Sequence, residues 1–220
     1  MLPQTRLYTV EDYYLLPNDG RRFELIDGEL IEKDGEGIGQ DRPFTVGGLD
    51  YLPAEGPRYE ILQGVLIPLP PPDGQHQRVL LTILRALDRF VTETAAGEVI
   101  VAPPWVVLSE FDIALPDLVF ISGGRAEIVA PGRIAGALDL VVEISMLPTI
   151  DRDLGRKNWI YRQAGVREYW TVNLAERDVA VRAFADTHDD RPVTFVRDGL
   201  LTSTILPVFA VDVKEHFAQA

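Results

Sequence analysis

The run ALPDLVFISGGRAEIVAPGRIAGALDLVVEIS, residues 114–145, decides the fold class. Its two ends, DIALPDLVFIS (112–122) and LDLVVEIS (138–145), are apolar stretches too short for helices and bounded by turn residues. Such runs read as strands, the second as a central strand buried on both faces. Between them lies a polar loop with four glycines, 123–136. One acid interrupts each strand: Asp117 and Glu143. A carboxylate inside a buried strand costs free energy unless it is paired or holds a cation.

Working outward, residues 150–165 predict a helix ending at Gly165. REYWTVNL (167–174) and DVAVRAFA (178–185) then alternate as a hairpin, and weaker strands are expected near 193–196 and 200–206. Upstream, Val79, Ile83, Leu84, Leu87 and Val91 recur at helical spacing within 75–96, a helix expected to close at Gly97. EVIVAPPWVVLS (98–109) reads as one strand with a Pro-Pro irregularity, and PPPDG (70–74) as a loop after a hairpin at 58–69. The order of strand pair, helix, strands, helix, strands predicts an α/β fold: a mixed central sheet flanked by helices.

The chain also repeats itself. Residues 9–31, TVEDYYLLPNDGRRFELIDGELI, align without gaps to residues 45–67, TVGGLDYLPAEGPRYEILQGVLI. Identical pairs include Leu16/Leu52, Arg22/Arg58, Glu24/Glu60, Gly28/Gly64 and Ile31/Ile67. Two copies are too few for a solenoid, so this is a partial tandem duplication. In each copy Thr9 or Thr45 caps a short expected helix, which ends near Leu16-Pro17 or Leu52-Pro53. A hairpin around an Asp27-Gly28 or Gln63-Gly64 pair follows. The acidic, Gly-rich segment 32–41 reads as a linker. Residues 42–220 are therefore expected to form the complete domain, and residues 1–41 an additional copy of its helix-hairpin segment.

Composition narrows the chemistry. With no cysteine in 220 residues, thiolate metal sites, disulfides and cysteine nucleophiles are excluded. No apolar run reaches the ~18–20 residues that cross a bilayer, so no membrane partner is expected. The N-terminus lacks a signal peptide's basic start and apolar core, which predicts a cytoplasmic protein. The net charge of -13 opposes nucleic-acid binding unless basic residues are gathered on one face. They are partly gathered. Residues 1–41 carry four basic and ten acidic residues, whereas 151–167 carries Arg152, Arg156, Lys157, Arg162 and Arg167 against Asp151 and Asp153. Such a cluster is commonly a solvated helix face.

If the strands of Asp117 and Glu143 are neighbours, the two acids meet near the strand ends. Two carboxylates are a minimal set for Mg²⁺ or Mn²⁺, which favour oxygen ligands and keep several waters. Lys157, fourteen residues after Glu143, can reach back to the same point from the basic helix. A purely structural ion pair between the carboxylates and Lys157 accounts for the pattern equally well.

The strings PDLVFIS, GALDLVVEIS and RDLGRKNWIYRQAGVREYW, with RYEILQGVLI and QHQ upstream, resemble the Uma-two family of putative restriction endonucleases, within the PD-(D/E)XK nuclease superfamily. The resemblance covers about 42–212. It implies a restriction-endonuclease-like core with a metal at the sheet edge. Asp117 matches the acid of the family's Pro-Asp motif, Glu143 the acid of the following strand, and Lys157 the lysine supplied from the next helix. The wider superfamily places a lysine where this chain has Ser145, a possible supporting group. Glu60 and His76 also match favoured positions and are candidate supporting residues. Where family members carry Ser-Pro-Ser-Thr, this chain has Met146-Leu147-Pro148-Thr149.

The resemblance implies a metal-dependent endonuclease that hydrolyses DNA with Mg²⁺ or Mn²⁺. Asp117, Glu143 and the carbonyl of Ile144 would hold the metal, Lys157 would orient or deprotonate water, and Arg152, Arg156 and Arg162 would contact phosphates. A homodimer is the expected assembly. The rival expectation is a non-catalytic binding or regulatory module that retains the fold.

Overall fold

The structure, a computed structural model, describes residues 22–26, 29–33, 44–47, 58–146, 152–184 and 193–218, the first two segments as strands only. The short helix expected after Thr9, the part beyond Gly47 of the one expected after Thr45, and Leu147–Thr149 lie outside the described residues. So do residues 34–41 of the expected linker 32–41, whose first two residues belong instead to a strand.

The chain forms strands β1 (Arg22–Ile26), β2 (Glu29–Lys33), β3 (Tyr59–Leu62) and β4 (Val65–Pro68), then helix α1 (Gly74–Thr94). Strands β5 (Gly97–Val101), β6 (Trp105–Ser109), β7 (Asp112–Ala114) and β8 (Leu118–Ser122) follow. After a 3₁₀ segment (Gly123–Ile128) come β9 (Val129–Ala130), β10 (Arg133–Ala135) and β11 (Leu140–Ser145). A π-helical turn (Asp153–Lys157) runs into α2 (Asn158–Gln163). The chain continues through β12 (Glu168–Asn173), β13 (Asp178–Ala183), β14 (Thr194–Val196), β15 (Leu200–Thr202), β16 (Ala210–Asp212) and α3 (Val213–Ala218).

The expected central mixed sheet is present, in the order β14-β13-β12-β11-β8-β5. Its β11 lies antiparallel to β8 and parallel to β12, and every β11 residue is buried. The parallel pair requires a crossover, and α2 lies in it. Strand alternation sorts the two faces. Leu118, Phe120, Leu140, Val142, Ile144, Trp170 and Val172 share a core with Val79, Ile83, Leu87 and Val91 of α1. The intervening Val119, Ile121, Val141 and Tyr169 pack instead with Val106, Ala114 and Ile134 of a second six-stranded sheet and with Tyr161 of α2. Glu143 and Ser145 are in phase with Val141, which turns them towards α2.

The second sheet, β4-β3-β7-β6-β10-β9, corrects the strand assignments made from sequence. The expected single strand 98–109 is two, β5 and β6, in different sheets, divided at Ala102-Pro103-Pro104. The expected strand 112–122 is likewise divided at Leu115-Pro116-Asp117 into β7 and β8. Proline removes a ladder donor, so each Pro ends pairing and sends the chain to the other sheet. The supposed loop 123–136 contains the 3₁₀ segment, β9 and β10.

Helix α1 is capped by Asp73, whose carboxylate accepts from the backbone N–H of His76 at 2.8 Å. Its left-handed cap is Ala95 (φ 51°), and Gly97 has a different duty from the one expected. A Cβ on Gly97 would stand 2.1 Å from the Ile121 carbonyl oxygen, so glycine there permits close pairing of β5 with β8. The hairpins expected in the two sequence copies both occur, and in the same register: Leu25 pairs with Leu30 around Asp27-Gly28, and Ile61 with Leu66 around Gln63-Gly64. Gln63 and Gly64 both have positive φ, 55° and 74°, as a two-residue hairpin turn of the primed type demands.

Candidate active site

The β8–β11 register brings Asp117 and Glu143 together. Leu118 pairs with Val142, so one step further along the two antiparallel strands sets Asp117 beside Glu143. The ladder does not continue there. Instead the Asp117 carboxylate replaces the backbone acceptor, and Oδ2 takes the N–H of Ile144 at 2.7 Å. The other oxygen, Oδ1, lies 3.0 Å from His76 Nε2. His76 sits in the first turn of α1 on the buried stripe that continues through Val79 and Ile83, which points its ring inward. Its Nδ1 is buried and finds no hydrogen-bond partner among the described residues.

Lys157 is 1% exposed. The π-helical turn carries it under the sheet, where Nζ meets Glu143 Oε1 at 2.8 Å, Glu60 Oε1 at 2.7 Å and Asp153 Oδ1 at 3.7 Å. Tyr161, one turn on, donates its hydroxyl to the same Glu143 oxygen at 2.6 Å. Tyr161 thus packs in the core and also fixes Glu143. Glu60, at the centre of β3, accepts the Leu115 N–H at 2.9 Å and so ties the hairpin to the segment that leads into Asp117. Its second oxygen is buried, has no hydrogen bond among the described residues, and lies 3.8 Å from an Arg152 nitrogen. Ser145 Oγ donates to Asp153 Oδ2 at 2.6 Å, and Arg152 Nε to Asp153 Oδ1 at 3.2 Å.

Asp153 is a member of the cluster that sequence reading missed. Its signal was the spacing Asp153-x-x-x-Lys157, which sets the pair on one helix face. The three arginines named from sequence do not act as one group. Arg152 faces inward onto Asp153 and Glu60, Arg162 is half-buried, and Arg156 is exposed.

His76, Asp117, Glu143, Arg152, Asp153 and Lys157 line a cavity of about 520 Å³, together with Arg58, Leu69, Pro70, Pro71, Pro72, Leu115, Ile144 and Met146. Charged groups form one wall and the proline run forms part of the other. The electrostatics are lopsided. Burial pushes Glu143 up to about 8, and the neighbouring Glu60, Asp153 and Asp117 add to the rise, against the opposing pull of Lys157. Burial alone would lower Lys157, but Glu143, Glu60 and Asp153 outweigh it and hold the ammonium firmly charged. Four carboxylates (Glu60, Asp117, Glu143, Asp153) stand among the cations Lys157 and Arg152, with Arg58 also lining the cavity. The available donors are hard oxygens, as Mg²⁺ and Mn²⁺ prefer. Among the described residues no group of three His, Asp or Glu side chains is placed to hold a metal ion. A divalent ion here would rest on the Asp117–Glu143 pair with waters completing its shell, as Mg²⁺ accepts.

The family model Uma2, described as a putative restriction endonuclease, matches residues 49–213. The chain belongs to this family. The Uma2 match spans Glu60, His76, Asp117, Glu143 and Lys157 alike. Among solved structures, the chain is similar to a putative nuclease belonging to DUF820 from Anabaena variabilis. The TM-score is 0.68 at 17% identity, over 80% of this chain and 99% of that one. That likeness shows a shared nuclease-like fold, in agreement with the fold expected from the sequence. No curated protein matches the chain. No helix among the described residues is long and apolar enough to cross a membrane.

Proposed function

We propose that this Uma2 protein is a Mg²⁺- or Mn²⁺-dependent endonuclease that hydrolyses phosphodiester bonds of DNA. The observation that carries the reading is the placing of Asp117 and Glu143 side by side at adjoining ends of β8 and β11, with Lys157 held between Glu143 and Glu60. Family membership supports it.

Asp117 and Glu143 would hold the metal, with the Ile144 carbonyl completing the set. Once bound, a divalent ion lowers the pKa of water and offsets charge on the phosphate. His76 fixes the rotamer of Asp117 through Nε2, and Tyr161 fixes that of Glu143. In the hydrolysis the water oxygen bonds to phosphorus, the bond from phosphorus to the leaving oxygen breaks, the water's proton passes to solvent, and the leaving oxygen takes a proton from solvent to become a hydroxyl. Lys157 serves as a fixed cation near the charge that develops in this step, because its carboxylate neighbours keep it protonated. It therefore orients water and stabilises charge, and is not the base. Arg156 and Arg58, exposed near the cavity, supply phosphate contacts that carry no sequence information. Arg152 contributes to the field while paired to Asp153.

The rival reading, a non-catalytic module, draws on one observation: both close partners of Lys157 are carboxylates, as in an inert buried ion pair. Cleavage decides between them. Purified protein with supercoiled plasmid and Mn²⁺ or Mg²⁺ is expected to nick DNA, with Asp117→Ala and Lys157→Ala at least about a hundredfold slower. Plasmid left equally intact by wild type and variants over a range of salt would sink the nuclease reading.

A further inference from the structure

The first hairpin, β1–β2, pairs with itself in a separate two-stranded sheet, whereas its sequence twin β3–β4 is built into the second six-stranded sheet. What holds β3–β4 there is small and identifiable. Ile61 pairs with Ile113 of β7, the sole register pair between these strands. Ile61 and Ile113 form a small core with Phe44, Val46, Leu66 and Trp105. The Gly64 N–H donates to the Phe111 carbonyl at 2.8 Å, and the Gln63 N–H to Asp112 Oδ1 at 2.7 Å. Glu60 accepts from Leu115 and from Lys157.

Each of these attachments is either a backbone group or a residue that the first copy repeats. The 36-residue offset aligns Glu24 with Glu60, Leu25 with Ile61, Gly28 with Gly64 and Leu30 with Leu66. It also aligns Tyr8 with Phe44 and Val10 with Val46. The two hairpins share their register as well as their residues. Register fixes which side chains face which side, so an exchanged β1–β2 would present Glu24 where Glu60 now stands.

We propose that the place against β7 accepts either hairpin of the same chain, and that Glu24 is the alternative partner of Lys157 and Leu115. The observed arrangement is the favoured one, because β4 leads directly through Pro70–Pro72 into α1 and the second hairpin never strays far. Exchange puts the first copy in its place and leaves the second unpaired with β7. The duplicated segment is then a built-in replacement for an element that reaches the candidate site. This inference concerns folding of the site and does not depend on the nuclease reading.

A double-mutant cycle on the full chain tests it by thermal unfolding. Glu24→Ala alone is expected to leave Tm unchanged. Glu60→Ala is expected to lower Tm only partly, since exchange caps the loss. Glu24→Ala/Glu60→Ala is expected to fall a further ~4 °C or more. Strict additivity, with the double variant no lower than Glu60→Ala, would overturn the proposal. Because the chain has no cysteine, a second measurement is clean even where alanine variants fold poorly. Under mild oxidation, both Ile61→Cys/Ile113→Cys and Leu25→Cys/Ile113→Cys are expected to form a disulfide within one chain. If only the first pair closes, or the second closes only between chains, exchange within the molecule does not occur.

Discussion

Glu143 concentrates the physics of the site. Burial, with the charges of Glu60, Asp153 and Asp117 nearby, holds its affinity for protons far above the ordinary carboxylate range, against the opposing pull of Lys157. The sign of the stability effect follows from linkage. A carboxyl whose folded value is raised contributes stability that is complete below its unfolded value near 4.5 and is lost as pH rises through about 8. Without added metal, the protein is therefore expected to lose stability between about pH 5 and pH 8, on the order of a few kcal/mol. Glu143→Gln should flatten that slope. Melting curves in EDTA across this range check it, and an equal slope in the variant would contradict the assignment. At this scale the sequence was informative about acids and poor about partners. Asp117, Glu143 and Lys157 were legible because each breaks a pattern: an acid in an apolar strand, or a lysine in a run of arginines. The hydroxyl contact of Tyr161 and the carboxylate of Asp153 were not, since a tyrosine or an aspartate at helical spacing is ordinary. Only the packed fold shows that both point at the same few ångströms.

At the scale of elements, the alternation of β11 carried most of the information, and the prolines carried what was misread. An apolar run with a proline reads as one strand with a flaw, because periodicity continues across it. In the folded protein, Pro103-Pro104 and Pro116 are the points at which the chain changes sheets. That change depends on which strands are already neighbours, which no local pattern records. Gly97 was misread for a similar reason. Near a helix end a glycine suggests a cap, yet here it is required by β8, distant in sequence. Gly97→Ala is expected to destabilise the protein by roughly 2–4 kcal/mol, through the clash with the Ile121 carbonyl. Ala95→Gly, at the true left-handed cap, should be neutral or mildly stabilising. Urea unfolding of both variants tests the distinction, and a milder effect at position 97 than at 95 would contradict it.

For the whole molecule, the net charge of -13 and the buried acidic cluster are separate matters. Much of the first lies in residues 1–41, where ten acidic residues stand against four basic ones. The cluster is local, and its carboxylates are held around Lys157 and Arg152. The sequence indicated a mixed sheet, two acids and one lysine. It did not indicate the second sheet, and it pointed to Glu60 and His76 as supporting groups only through the family resemblance. The central claim is that this cluster binds a metal. Titration of the metal-free protein with Mn²⁺ at pH 7, in buffers of different ionisation enthalpy, tests it most directly. Binding is expected with release of close to one proton from Glu143, and Asp117→Ala should abolish both the binding and the proton release. Heats that are independent of buffer and unchanged in Asp117→Ala would contradict the account.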